Sequence, residues 1–382
     1  MQIGILLTVV LTVLTVMRNK SRIVFRHPLT YSIAAYLVLR LLSAIVSPTP
    51  ERSLLALFHT DWPLLAIPVL GSAPLTSPGR SRIVRGLILS AALVSVYAVY
   101  QFFSGIDLWR GRSLTVMEGF YRATGAYDFY LTLAGNQLII FFLAIPLVFS
   151  ARRAGFSKSR YWIGLAVVLI LAGIVSTFGR SSWIALIVIG LLALFWKIKG
   201  HRILGLIMIG IIGLAVFFIA PKELQDRLVS TFEFSRNQDR VNLWKTSWLM
   251  IENKPLFGIG PGNFKAEFDN YRVTGIYDAT GHAHNDYLNL AATSGIPALA
   301  AWLCIWLVWF YSAVRKVKSG LVSDSDRYLL LGCVLGIAAI MVAAVFQCYY
   351  TDLENNICWS LLTILGLQII LEKKRSVSEP AN

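Results

Sequence analysis

The feature that most constrains this chain is a recurrence. Apolar runs of about twenty residues follow one another from end to end, separated by turns and clusters of charge. Such a run has the length that a helix needs to cross the hydrocarbon core of a bilayer. In lipid every backbone N–H and C=O must find a partner inside the structure, so single runs of this kind fold as helices. The runs lie at 1–17, 29–47, 53–71, 84–104, 130–150, 161–178, 182–197, 203–220, 287–313, 328–347 and 355–371. They predict an all-α, polytopic membrane protein with eleven spans. Charged residues make up only 14% of the chain, against about a quarter in a soluble domain. The first run, Met1 to Met17, lacks a basic start and a small-residue cleavage site, so it reads as a short span and not as a signal peptide.

The charges orient the spans. Basic residues gather at 18–27, at Arg80, Arg82 and Arg85, at 152–160, at Lys197, Lys199 and Arg202, from Arg315 to Arg327, and from Lys373 to Arg375. These six regions hold 21 of the 35 Lys and Arg but only four of the 20 acids, even counting Glu372 and Glu379 that flank the last cluster, and all six fall on one side of the eleven-span arrangement. That asymmetry is the positive-inside pattern. It predicts a cytoplasmic C-terminus and an outside N-terminus. It also accounts for the net charge of +15, which in a soluble chain would suggest nucleic acid; no nucleic-acid-binding signature is present.

The whole of 1–382 therefore reads as a single integral membrane domain. Two outer connections are long enough to carry a site: Ser104 to Phe129, and Pro221 to Asp286, the large outer loop. Within the second, Val241, Trp244, Trp248 and Ile251 recur at helical spacing and predict an amphipathic helix over Gln238 to Glu252. Lys254-Pro255 would stop it. Gly258-Ile259-Gly260-Pro261-Gly262 then reads as turns. It lacks the Lys-Ser/Thr of a phosphate loop and follows no strand.

Several polar residues stand out against this background. Arg180 interrupts two apolar runs at the outer membrane face, where a charge is expensive and marks a functional site by default; the bland alternative is a snorkelling side chain. Arg240 opens the amphipathic helix. His282 and His284 sit where the large loop re-enters the membrane. With Asp286 they have the spacing of a metal pair, but no third His or Cys lies nearby, and an imidazole that titrates near neutrality is better suited to act as a general base. Arg40, Asp61 and Asn136 lie in or near spans and are expected to line a cavity or pair with one another; Arg122 and Asp128 lie in the other outer loop. Of the four cysteines, Cys304 and Cys333 read as packing residues, whereas Cys348 and Cys358 flank a short turn where a disulfide is one alternative.

The Arg180 turn, Arg240-(x)3-Trp244, the run from Lys254 to Phe264, and His282-Ala283-His284-Asn285-Asp286-Tyr287-Leu288 followed by Gly295-Ile296 together resemble the O-antigen ligase and O-antigen polymerase superfamily. Arg122-Ala123-Thr124-Gly125 looks like that family's earlier outer-loop motif. The specific likeness covers roughly 160–300, and the multispan layout extends it over the chain. The resemblance implies a GT-C-like helical glycosyltransferase fold of about 11–12 transmembrane helices, with 221–286 as one large periplasmic loop, in the bacterial inner membrane. It implies transfer of a glycan from undecaprenyl diphosphate to an acceptor sugar such as lipid A–core, without metal or nucleotide sugar and with no cofactor. Arg180 and Arg240 would bind the diphosphate, His284 would act on the acceptor hydroxyl, and His282, Asn285 and Arg122 would support them.

Guanidinium groups suit that chemistry, because they bind phosphate oxygens bidentately and stabilise charge as it grows on a leaving diphosphate. A polymerase joining lipid-linked repeats would use the same motifs. A polysaccharide transporter or flippase would instead show repeated halves with charges at the midplane, and no repeat is evident. A purely structural membrane protein would tolerate loss of His284.

Overall fold

The computed structural model describes residues 27–73, 75–117, 119–153, 157–197, 238–277 and 280–372, with Lys222 and Gln225. The spans expected at 1–17 and 203–220 lie outside the described residues. Thirteen helices run through the described segments: α1 (Pro28–Ile45), α2 (Pro50–Thr60), α3 (Trp62–Gly71), α4 (Ser77–Ser104), α5 (Tyr130–Arg153), α6 (Ser157–Val175), α7 (Arg180–Lys197), α8 (Gln238–Asn253), α9 (Phe264–Tyr271), α10 (Asp286–Ser294), α11 (Ile296–Lys318), α12 (Asp324–Ala343) and α13 (Leu353–Leu371). Seven stretches are long and apolar enough to cross a membrane, and 160–175 and 180–193 form shorter apolar helices. The chain is a polytopic helical membrane protein, and all nine expected spans within the described residues are helical.

Two of those spans are broken. The run 53–71 is two helices that meet at Asp61, and 287–313 is divided at Gly295 into α10 and α11. Each break has a physical cause, and Pro63 in the first turn of α3 marks the first. The carboxylate of Asp61 is drawn into a buried ion pair with Arg40, Nε to Oδ2 3.0 Å. Gly295 has φ 86°, a backbone conformation that a Cβ opposes. The sequence reading also missed two short antiparallel hairpins after α4: Ile106–Asp107 pairs with Arg112–Ser113, and Val116–Met117 with Phe120–Tyr121.

The bundle is organised around α5, which packs on α6, α12 and α13. Its contact with α12 is close because Gly332 and Gly336 face it. A Cβ on Gly332 would lie 2.5 Å from the carbonyl oxygen of Leu143, and one on Gly336 2.8 Å from that of Ile139. Small residues four apart let helix backbones approach in this way. Large side chains such as Leu89, Leu93, Val168 and Leu307 remain exposed on the outer walls, as lipid-facing positions require.

At the end of the bundle bearing the basic clusters, Arg80 departs from the expectation of a loop charge. It is almost fully buried, donates to Asp326 (2.9 Å) and Glu372 (2.6 Å), and ties the start of α4 to the start of α12 and the end of α13.

At the opposite end, the loop after α8 lies directly on the α10–α11 break. Ile259 N–H donates to Ala292 O (2.9 Å), Gly260 N–H to Thr293 O (2.9 Å) and Ile296 N–H to Pro255 O (2.8 Å). Gly258, at φ 65°, leaves no room for a side chain, since a Cβ would sit 2.5 Å from Ala292 O.

The helix predicted over 238–252 is present as α8, and it ends before Lys254-Pro255. Its buried face is shifted from the expected one: Ile251 is buried and Val241 and Trp244 are half-buried as expected, but Leu243, Thr246, Ser247 and Met250 make up the rest of the buried face and Trp248 is exposed. The small Thr and Ser let α8 sit close to its neighbours, and Trp248 instead donates to Glu252 (2.6 Å). All four cysteines are free thiols, Cys348 and Cys358 included.

Candidate active site

The Arg180 turn is built by local hydrogen bonds at the end of α6. Thr177 Oγ1 donates to Ile174 O (2.7 Å) and accepts from Gly179 N–H (3.1 Å). Phe178 takes φ 53° and is fully buried, with its ring stacked 5.5 Å from Phe102. This turn presents Arg180, half-buried, as the first residue of α7. The next two residues, Ser181 and Ser182, place their hydroxyls 2.9 and 3.2 Å from the Tyr349 hydroxyl.

The Arg122 loop docks beside that turn. Ala123 N–H donates to Ser176 O (3.0 Å). Gln101 of α4 clamps the loop, its Oε1 accepting from Thr124 N–H (3.0 Å) and Gly125 N–H (2.7 Å). Arg122 itself lies over the ring of Tyr130, 3.9 Å from its centroid. Its Nε is buried without a partner among the described residues. Burial holds this guanidinium below its ordinary pKa, and neighbouring Arg240 lowers it further against the opposing effect of Tyr130.

Arg240, on the first turn of α8, donates from Nη1 to Phe346 O (3.0 Å). Among the described residues neither Arg122 nor Arg240 has a carboxylate within ion-pair distance. Arg40, Arg80, Arg110 and Arg112 all do, and Asp128 pairs with Arg110 (2.7 Å) rather than with Arg122. Two neighbouring guanidinium groups without a counter-charge repel one another, and an arriving anion relieves that repulsion.

The His282–His284 loop is equally specific. Asn285 caps α10, its Oδ1 accepting from Leu288 N–H (3.0 Å), so its role is to start the helix. The Asp286 carboxylate is engaged by the backbone, accepting from the N–H groups of Tyr349 (2.8 Å) and Tyr350 (3.0 Å). Burial pushes this carboxyl up to about 7, against those two amide bonds. Among the described residues no group of three or more His, Cys, Asp and Glu gathers to hold a metal.

His284 adopts φ 49°. It and Phe178 are the two non-glycine residues at positive φ among the described residues, and both stand at this site, where such strain tends to be stored. The His284 N–H donates to His282 Nδ1 (3.2 Å), which requires that nitrogen to be unprotonated. Burial, the His284 ring and Arg240 together lower the His282 pKa to about 3. His282 is therefore neutral and holds the turn. The His284 Nδ1 lies 2.6 Å from Gln347 Oε1.

A single segment thus gathers the site. Between α12 and α13, residues 344–350 receive Arg240 at Phe346, His284 at Gln347, Ser181 and Ser182 at Tyr349, and Asp286 at the Tyr349 and Tyr350 amides. Tyr350 reaches the other way and donates to Asp61 (2.6 Å). Sequence reading missed this segment, because Gln347-Cys348-Tyr349-Tyr350 carries no spacing that points to chemistry. The one signal available was a Gln at the outer end of an apolar run. Of the spans' other polar residues, Arg40 pairs with Asp61 as expected, whereas Asn136 pairs with neither of them and donates to Asn355 (3.0 Å).

Residues 165–303 match the family model described as O-Antigen ligase. The chain is 22% identical over 355 residues to the O-antigen ligase of Salmonella typhimurium strain LT2, an alignment covering 85% of this chain and 82% of that one. It is 24% identical over 172 residues to the teichuronic acid biosynthesis protein TuaE of Bacillus subtilis strain 168, covering 43% of this chain and 32% of that protein. The resemblance to the O-antigen ligase superfamily read from the motifs is borne out, and it supports a role in lipid-linked glycan transfer. The matched region contains Arg180, Arg240, His282, His284 and Asn285, while Arg122 and Gln347 lie outside it.

Proposed function

We propose that this chain is a metal-independent glycosyltransferase of the O-antigen ligase type. It moves a glycan from undecaprenyl diphosphate to an acceptor sugar such as that of lipid A–core, on the periplasmic face of the inner membrane. The observation that carries this reading is the convergence of Arg240 and His284 on adjacent residues, Phe346 and Gln347, beside the half-buried Arg122 and the Arg180 turn.

Arg122, Arg180 and Arg240 hold the diphosphate, with 221–286 as the large periplasmic loop that brings Arg240 to it. Gln347 accepts a hydrogen bond from His284 Nδ1–H, so the proton sits on that nitrogen and Nε2 is the basic one. The acceptor hydroxyl attacks the anomeric carbon and its proton passes to Nε2. The bond from that carbon to the phosphate oxygen breaks, the electron pair leaves with undecaprenyl diphosphate, and the guanidinium groups stabilise the charge that develops. A single displacement inverts the anomeric centre.

His284→Ala, at matched expression and with insertion verified, is expected to lose nearly all glycan transfer. Retained transfer rejects the reading. Ligase and polymerase share this site, and a deletion strain separates them. Core lipid without long chain, alongside carrier-linked polymer that still grows, identifies a ligase. Single capped repeats on the core identify a polymerase.

A further inference from the structure

A cavity of about 210 Å³ opens beside His282, between α1, α2, the Gly262 turn and α10. We propose that it is the subsite for one pyranose ring of the acceptor glycan, a reading that rests on the transferase function proposed above.

Its position carries the first part of the case. His282 lines the cavity, and its ring centroid is 4.3 Å from that of His284. None of Arg122, Arg180 and Arg240 lines it. The 344–350 segment divides the two regions: Tyr349 meets Ser181 and Ser182 beside the Arg180 turn, whereas Tyr350 lines the cavity and bonds Asp61. A single displacement requires the nucleophile and the leaving group on opposite faces of the anomeric carbon. With the arginines on the leaving-group side, the cavity is where an acceptor belongs, and the histidine pair stands between them.

Chemistry carries the second part. Thr351 and the Asn289 amide supply polar groups along the wall, where the hydroxyls of Thr60 and Thr293, donating to Ala56 O and Asn289 O, can still accept, while Phe264 and Tyr350 supply aromatic surface. Edge hydroxyls and an apolar ring face are what a pyranose presents. The wall is poor for an anion, because the guanidinium of Arg40 is already occupied by Asp61 and by Ser294 (2.6 Å). The volume lies below the range of about 300–1,000 Å³ taken by drug-sized ligands. It exceeds the space of a few waters at about 30 Å³ each.

The test uses the full chain in nanodiscs with two probes, methyl hexopyranosides followed by saturation-transfer NMR and inorganic pyrophosphate followed by calorimetry. Two variants fill the cavity from different walls. Gly281→Leu starts from a position where an added Cβ meets nothing within 4 Å, and Ala56→Leu starts from α2. Each is expected to weaken glycoside binding at least tenfold and to leave pyrophosphate binding unchanged, and Arg240→Ala is expected to do the reverse. Absence of any glycoside signal from the unaltered protein overturns the proposal, as does a glycoside signal that survives both filling variants or disappears in Arg240→Ala. Loss of pyrophosphate binding by the unaltered protein is a separate result and strikes the diphosphate reading instead.

Discussion

Gln347 is the sharpest place to perturb the mechanism, because its one contact with His284 sets which ring nitrogen is basic. Gln347→Leu keeps the bulk and removes the acceptor. The hydrogen bond is partly buried and 2.6 Å long. Losing this partly buried acceptor costs about 1–3 kcal/mol, and each 1.4 kcal/mol is a factor of ten. If that cost falls on the productive tautomer, kcat drops about 5- to 150-fold while the KM for the lipid donor stays the same. Gln347→Glu separates orientation from mere packing. It keeps the acceptor and adds a negative charge beside the imidazole, which favours the protonated ring. A base works only when unprotonated, so the acidic limb of the pH–rate profile moves to higher pH, by about one unit or more, with activity recovered above it. Purified protein in nanodiscs with a lipid-diphosphate glycan donor gives both profiles. The Asp286 carboxyl, raised to about 7, titrates in the same range, and Asp286→Asn is the control that assigns the limb. Unchanged turnover in Gln347→Leu refutes the orientation argument. A Gln347→Glu enzyme inactive at every pH does so too, because it means that the amide NH2, and not the oxygen, faces His284.

Other consequences follow from the geometry. Arg122→Ala and Arg240→Ala each remove a charged hydrogen-bond donor worth about 1.5–3 kcal/mol, so kcat/KM for the lipid donor is expected to fall about 10- to 150-fold, measured with Arg122→Lys beside them to test the stacking on Tyr130. Asp326→Asn strips one of the two counter-charges from buried Arg80, leaving Glu372, and is expected to cost about 1.5–3 kcal/mol, seen as a lower thermal midpoint in detergent with site occupancy by pyrophosphate unaltered. Gly332→Val forces α12 from α5 and is expected to cost about 1–3 kcal/mol by overpacking, on the same thermal assay. His282, at about 3 when folded and 6.5 in the reference state, takes up a proton on unfolding between those values. Stability is therefore expected to fall as pH drops through that window, by up to about 1.4 kcal/mol per pH unit, and His282→Asn should flatten the slope.

The spans were legible because length and hydropathy leave a membrane segment few choices. The motif residues Arg180, Arg240 and His284 were legible as charges and imidazoles where charge is costly. The breaks at Asp61 and Gly295 were not, since each depends on a partner distant in sequence: Arg40 for the first, the 254–260 loop for the second. The same holds for the buried face of α8, where Thr246 and Ser247 are chosen for size and carry no hydrophobic periodicity. Gln347 and Tyr349 escaped because their importance comes from what folds against them. Arg80 stands in one of the basic clusters that orient the spans, and its sequence context gives no hint of the Asp326 and Glu372 that surround it.

Helix α10 ends with carbonyls that a continuous helix would have used, and the glycine run after α8 arrives with amides to meet them. Ala292 and Thr293 give the acceptors, Ile259 and Gly260 the donors, and Gly258 the clearance. The soluble loop and the interrupted span are thus two halves of one joint, and neither half is complete by itself. Chimeras between related transferases should exchange 254–263 and 285–296 as a unit. Swapping the loop alone would strand carbonyls at the mouth of the bundle and loosen the seat of His284, even though every residue named in the chemistry had been kept.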